Sequence, residues 1–201
     1  MFPPNFMSTI YFVFGLCQAV AGYAAWVFRK QESFRVEPSG YSNIGSHPKR
    51  LVVFFSRMGY VKKVAYEEAD RTGAAVYEVK VRERTEGTAG FWWRGQFAMH
   101  RWAIPIEPIG VYRADLSRYE HITICCPVWV FSLASPARSF CKAAAGSIKE
   151  ADYIAVHYTA GGYENTAREM DAVLQLQHTD YRSISCKTGV FSRAKSREGN
   201  Q

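Results

Sequence analysis

The longest apolar run in the chain is Phe6 to Phe28, FMSTIYFVFGLCQAVAGYAAWVF, which carries no charge and one strongly polar side chain, Gln18. Wound as a helix at 1.5 Å per residue it extends about 35 Å, longer than a hydrocarbon core of about 30 Å. It is apolar on every face, so the pattern predicts one transmembrane helix over residues 1–30. Residues 31–48 then turn polar and rich in Gly, Ser and Pro, the composition of a linker. Beyond Pro48 the periodicity changes again. Arg50 to Phe55 (RLVVFF) is a continuous β-branched and aromatic run, as in a strand covered on both faces. Val61 to Thr72 reads as a helix, and Ala75 to Val81 (AVYEVKV) alternates as a less buried strand. His121 to Cys126 (HITICC) is another buried strand, followed by a helix from about Pro136 to Ala145. Tyr153 to Tyr158, a helix from Asn165 to Leu176, and a last strand Tyr181 to Cys186 complete the series. Strands alternating with helices predict an α/β fold, a doubly wound parallel sheet with right-handed crossovers.

The flanks of the first helix set its orientation. Arg29-Lys30 follow it directly, Tyr23 and Trp26 sit near its end, and the five residues before it contain no Lys or Arg. Positive charge on the C-terminal side predicts a single-pass inner-membrane protein, N-terminus out and domain in the cytoplasm, with lipid contacting residues 6–28. Two other readings compete: a core helix, and a cleavable signal with Ala19-Val20-Ala21 as a small-x-small site. The missing basic n-region and the length of the run weigh against the signal.

Charge narrows the partners. The chain carries +7, from 25 Lys+Arg against 18 Asp+Glu, and Arg29 and Lys30 account for two of the basic residues. The part after Lys30 therefore holds 23 basic and 18 acidic residues, or +5. No basic run or nucleic-acid motif accompanies this excess, so nucleic acid is not an expected partner, whereas an anionic leaflet is compatible with it. Cys17, Cys125, Cys126, Cys141 and Cys186 are odd in number and contain no C-x-x-C, so neither a disulfide framework nor a zinc site is expected. Catalytic triads, paired carboxylates and metal-ligand spacings are likewise missing from the sequence.

In a doubly wound sheet, ligands bind beyond the carboxyl ends of the strands where the order reverses. That rule selects three loops, 56–61, 127–135 and 159–164. Their contexts, LVVFFSRMGYVKKVA, CCPVWVFSLASPARSF and VHYTAGGYENTARE, resemble in order and interval the three cofactor loops of the flavodoxin family. The resemblance covers roughly Lys49 to Leu176. It implies a five-stranded sheet of order 2-1-3-4-5 over residues 49–190, and a flavin mononucleotide (FMN) as cofactor. The implied site residues are Ser56, Arg57, Met58, Gly59, Tyr60 and Val61 around the phosphate, with Lys62 as further charge. Pro127, Val128 and Trp129 would form one wall of the ring pocket, and Ala160, Gly161, Gly162 and Tyr163 the other.

The physical logic is that a helix start offers backbone N–H groups and a favourable dipole to a phosphate. Ser56 adds a hydroxyl, and Gly59 allows close approach of the backbone. Met58 and Val61 stand where the family usually has threonines. At about 1.5–3 kcal/mol per hydrogen bond to a charged group, two lost hydroxyls weaken binding by roughly two to four orders of magnitude. A strand-to-helix turn without ligand, and a core role for Trp129, are the corresponding structural readings.

Between the second strand and Asp115 lies an aromatic insert, about residues 84–112, containing GFWWRGQFAMHRWAIP. Trp92, Trp93, Phe97 and Trp102 are interleaved with Arg94, His100 and Arg101. This mixture suits a membrane interface, a lid over the flavin, a quinone site, a membrane-protein partner, or plain packing. The segment from residue 191 to 201 is polar and basic, the pattern of a loose tail. These patterns together predict a membrane-anchored FMN redox protein that passes electrons to a quinone or a membrane partner. The alternative is a flavin-free subunit with a structural or assembly role.

Overall fold

The computed structural model describes residues 4–32, 34–82, 95–107 and 116–193. Contacts divide the chain into two units, residues 1–34 and 35–201. The first unit is a single helix, α1 (Pro4–Glu32), with Arg29 and Lys30 in its last turn. Its segment Met7–Trp26 has a mean hydropathy of 1.3 over 20 residues, long and apolar enough to cross a membrane, as a signal sequence also can be.

The second unit is a sheet with helices on both faces. Its strands are β1 (Arg50–Phe54), β2 (Ala75–Glu78), β3 (His121–Trp129), β4 (Ser132–Leu133), β5 (Ala151–His157), β6 (Asp180–Lys187) and β7 (Val190–Arg193). Its helices are α2 (Tyr60–Thr72), α3 (Ser135–Ala144) and α4 (Glu164–Leu174). The strand order is β2-β1-β3-β5-β6-β7. The first five of these are parallel and correspond to the expected order 2-1-3-4-5. Two short antiparallel strands are additions: β4 turns back on β3, and β7 turns back on β6.

The unbroken apolar run of β1 has the reason expected of it. Leu51, Val53 and Phe55 enter the core shared with Phe140, Cys141 and Ala144 of α3 and Met170 and Leu174 of α4. Val52 and Phe54 are also buried, and Phe54 meets Tyr66 of α2 edge-on at 6.0 Å. One residue step moves a side chain to the opposite face of the sheet, so both faces must be covered.

Three segments differ from expectation. The second half of the 31–48 linker is not loose: Asn43 donates from its backbone to the Asp70 carboxylate (2.8 Å) and from its side chain to the Asp70 carbonyl (2.6 Å). Gly45 and His47 donate to the carbonyls of Ala74 (3.0 Å) and Gly73 (2.7 Å), covering the end of α2. The approach is close enough that a Cβ on Gly73, whose φ is +69°, would lie 2.4 Å from Ser46 Oγ. The second difference is β3, which runs past Pro127 to Trp129 instead of ending at Cys126. The third is the expected tail from residue 191, whose first three residues belong to strand β7 (Val190–Arg193); residues 194–201 lie outside the described residues.

Of the aromatic insert, residues 95–107 are described, and Trp92, Trp93 and Arg94 are not among them. Residues 95–99 form a helical turn. The segment then returns to β2, where Ile106 bridges Val81 and Glu107 N donates to the Lys80 carbonyl (2.8 Å).

Candidate functional site

The three loops expected to carry chemistry follow β1, β3 and β5, three adjacent parallel strands, and therefore emerge together at the carboxyl end of the sheet. The first loop turns from β1 into α2. Gly59 is the N-cap of α2 with φ +86°, a conformation that costs an L side chain roughly 1–2 kcal/mol, and no side chain caps the helix. First-turn amides have no intrahelical acceptor, so this start can receive an anion. Ser56 Oγ is buried with no hydrogen-bond partner among the described residues. A buried hydroxyl in that state costs about 1–3 kcal/mol, and an added acceptor would recover it.

Not every residue of that loop faces a ligand. Tyr60 is turned inward, edge-on to Phe191 of β7 at 6.2 Å, and Val61 is 3% exposed in the core. Their side chains are therefore packing groups, and only their backbone can serve a phosphate. Arg57, Met58 and Gly59 are half-buried. Lys62 lies 5.6 Å from the centre of the Tyr66 ring, while Lys63 pairs with Glu67.

The second loop is a β-hairpin. Val128 pairs with Leu133 and Trp129 with Ser132, leaving Val130 and Phe131 at the tip. Their φ angles are +48° and +59°, so both central residues of a two-residue turn are left-handed. Hairpins of this type normally carry Asn-Gly, and a β-branched residue there is a steric outlier. Yet Val130 is 44% and Phe131 75% exposed. Trp129 stands at the base, half-buried and edge-on to Phe55 at 5.5 Å. It packs on the core while leaving part of the indole uncovered. Pro127, opposite Val156 of β5, continues the strand.

The third loop, residues 158–163, is held from below. His157 Nδ1 lies 2.7 Å from the Thr159 carbonyl and its Nε2 lies 2.6 Å from Ser183 Oγ. Burial lowers the His157 pKa and keeps the ring neutral. A carbonyl can only accept, so Nδ1 carries the proton and Nε2 accepts from Ser183. The Tyr181 hydroxyl donates to the carbonyl of Gly162 (2.7 Å) or, alternatively, to that of Tyr163 (2.9 Å). Burial, reinforced by the nearby Cys126, raises the Tyr181 pKa, so it remains a donor. Ala160 and Gly161 are exposed above this support. Tyr163, left-handed at φ +56°, contacts His157 at 4.6 Å, bonds Thr159 through its hydroxyl and stacks towards Phe131 at 6.4 Å. The second and third loops are thereby joined.

A buried arginine ties the hairpin to the insert. Arg138 of α3 is 2% exposed; its Nε donates to Glu169 (2.6 Å), its Nη2 to the Leu133 carbonyl (2.9 Å) and its Nη1 to the Trp102 carbonyl (3.1 Å). Beside it Ser139 Oγ donates to the Ile104 carbonyl (2.6 Å) or, alternatively, to that of Ser135, and accepts from Ile104 N (2.9 Å). Ser132 Oγ donates to the Ala98 carbonyl (3.1 Å). Phe131, His157, Tyr181, Ser183 and Arg138 were not singled out by the sequence. A Val-Phe pair reads as strand, not as a turn, and a lone arginine in a helix reads as surface.

The thiols are not part of this chemistry. Burial, with a contribution from Glu169, pushes Cys126 up to about 12, and Cys125 and Cys141 are also raised by burial. Among the described residues, no group of three His, Cys, Asp or Glu side chains is placed to hold a metal.

No protein-family model matches the chain, and no curated protein matches it. Solved structures do. A candidate flavoprotein from Bacteroides eggerthii DSM 20697 superposes with a TM-score of 0.59 at 17% identity, over 67% of this chain and 87% of that one. A second, from Bacteroides uniformis ATCC 8492, gives 0.59 at 18% identity over 70% and 92%. At this identity the likeness is one of architecture: residues 35–193 have the flavodoxin-like fold.

Proposed function

We propose that the domain binds FMN at the carboxyl end of its sheet and serves as a redox protein, carried on a membrane by α1. The observation that carries this reading is the first loop: an uncapped helix start, a left-handed Gly59 and an orphaned Ser56 hydroxyl at one turn. That combination fits a terminal phosphate, which takes backbone N–H donors and a hydroxyl at once. Arg57 adds charge beside it. Trp129 and Pro127 on one side, and the backbone of exposed Ala160 and Gly161 and half-buried Gly162 on the other, suit a flat apolar ring. The likeness to candidate flavoproteins supports the same class of ligand. FMN supplies one- and two-electron chemistry when bound, and this chain's residues bind it, orient it and exclude water.

The anchor reading rests on the length and apolarity of α1 and on Arg29-Lys30 at its end, which favour an outside N-terminus and a cytoplasmic domain. With the domain held at a membrane, a quinone or a membrane protein near Phe97 and Trp102 is the natural acceptor class.

The test is an absorption spectrum of the detergent-purified full chain and its flavin stoichiometry after titration with FMN. About one oxidised flavin per chain supports the reading. A folded protein that takes up no flavin at micromolar FMN refutes it and leaves the structural-subunit role, which the inward packing of Tyr60 and Val61 would then explain.

A further inference from the structure

The exposed large apolar side chains described for residues 35–193 are Met99, Trp102, Val130, Phe131, Tyr158 and Val190. Four of the six lie on two segments that are locked together, the insert and the β3–β4 hairpin. The lock consists of Ser132 Oγ on the Ala98 carbonyl and of Arg138, which bonds Trp102 and Leu133 at once. A Cβ on Gly95 would fall 4.0 Å from Val130 Cγ2, so the two segments also meet at the tip.

We propose that this patch is a membrane-docking surface, which inserts Met99, Trp102, Val130 and Phe131 into the interfacial zone of an anionic phospholipid bilayer. The proposal rests on the reading of α1 as a membrane anchor. Its chemistry is that of an interface. Trp102 sits between Phe97, edge-on at 5.8 Å, and His100, stacked at 4.7 Å, and is still 55% exposed. Arg101 is exposed next to it. Neither residues 95–106 nor residues 121–137 contain a single acidic residue. Aromatic and aliphatic groups beside an exposed arginine, on segments that themselves carry no carboxylate, match headgroups above and acyl chains below. The hairpin tip points the same way: facing water it would favour Asn-Gly, but it holds an exposed Val-Phe pair in the left-handed region.

Tether length makes the bilayer the partner always at hand. α1 ends at Glu32 and the docked segment begins at Tyr41, whose ring meets Tyr66 at 5.5 Å. Residues 33–40 reach at most about 29 Å when fully extended. A bilayer spanned by α1 is then present at high effective concentration, so even weak insertion is populated.

The test uses the full chain with Cys17→Ser, since Cys17 is exposed and the other four cysteines are buried. Single cysteines are placed by Met99→Cys, Phe131→Cys or Val190→Cys, the last on β7 and 71% exposed. Each is labelled with an environment-sensitive fluorophore and reconstituted in nanodiscs of phosphatidylcholine with phosphatidylglycerol, with and without a doxyl-lipid quencher. The expected result is several-fold stronger quenching at 99 and 131 than at 190, reduced by Arg101→Glu and in phosphatidylcholine alone. Two reporting positions keep the test alive if one labelled variant misfolds. Chains that co-elute with the discs but show equal quenching at all three positions overturn the docking surface and leave the anchor standing. An emission shift that grows with chains per disc, without lipid quenching, overturns it in favour of a second copy on the patch. Chains that do not co-elute with discs overturn the anchor reading itself and the proposal with it.

Discussion

Replacing Arg138 by methionine should reveal how strongly the hairpin and the insert depend on one buried charge. The side chain is 2% exposed and bonds Glu169, Leu133, Trp102 and Ser132. Methionine fills much of the same volume but leaves Glu169, itself 17% exposed, without its partner. It also leaves the carbonyls of Leu133 and Trp102 without a donor. Breaking a buried pair from one side costs about 3–5 kcal/mol, because the remaining charge is stranded. For a domain of this size each kcal/mol lowers Tm by about 2–4 °C, so the expected fall is roughly 6–20 °C. Urea unfolding of the domain in detergent, followed by near-UV circular dichroism, measures the loss directly. The double variant Arg138→Met, Glu169→Met removes the stranded charge and should recover part of the stability. The bare carbonyls set the residue that is not recovered. A coupling energy of at least about 1 kcal/mol is therefore expected between the two positions. A single variant within about 1 kcal/mol of the parent, or a double variant equal to the sum of the singles, would refute the clamp.

Three further outcomes are expected. Ser56→Ala removes a hydroxyl that has no partner among the described residues, so the flavin-free domain should be as stable as the parent or more so; FMN affinity, read by fluorescence titration, should fall about 10- to 150-fold. Changing Val130-Phe131 to Asn-Gly relieves two left-handed side chains and should raise stability by about 1–2 kcal/mol in urea titration; an equal or lower stability would mean that the turn is not strained. Burial acts to raise the Glu68 pKa, but hydrogen bonds from Arg71 and Arg182 outweigh it and hold the carboxyl below its ordinary 4.5. Its contribution is thus complete above about pH 4.5 and is lost as pH falls through the folded value, since the unfolded chain takes up the proton first. Glu68→Gln should flatten the acid limb of the stability-against-pH profile, and an unchanged limb would show that other carboxylates control it.

Much of the architecture is written locally. The both-faced apolar run of β1, the helical period of α2 and the polar breaks between strands depend on residues next to one another, and each appears within one or two residues of its expected place. The loops at the carboxyl ends of β1, β3 and β5 follow from that order alone. Inside the loops the reading is less complete. Gly59 has the left-handed backbone that glycine admits at a helix start, while Tyr60 faces β7 because α2 needs an apolar first turn against the sheet. Pro127 lacks an N–H and suggests a stop, yet β3 continues through it to meet β4. Asn43, Gly45 and His47 look like linker until the last carbonyls of α2 require donors.

The sequence by itself therefore determined the apolar helix at the start, the alternation of strands and helices, and which three turns emerge together at the carboxyl end of the sheet. All of these follow from nearest-neighbour periodicity and from the handedness of the chain. Tertiary structure decided which polar groups are stranded and which are satisfied: Ser56 without a partner among the described residues, Arg138 buried among four, Val130 and Phe131 held outward at a strained tip. Such outcomes depend on groups that are distant in sequence, as Trp102 and Glu169 are from Arg138. Burial and hydrogen bonding are set by what covers a residue, and no local pattern carries that information.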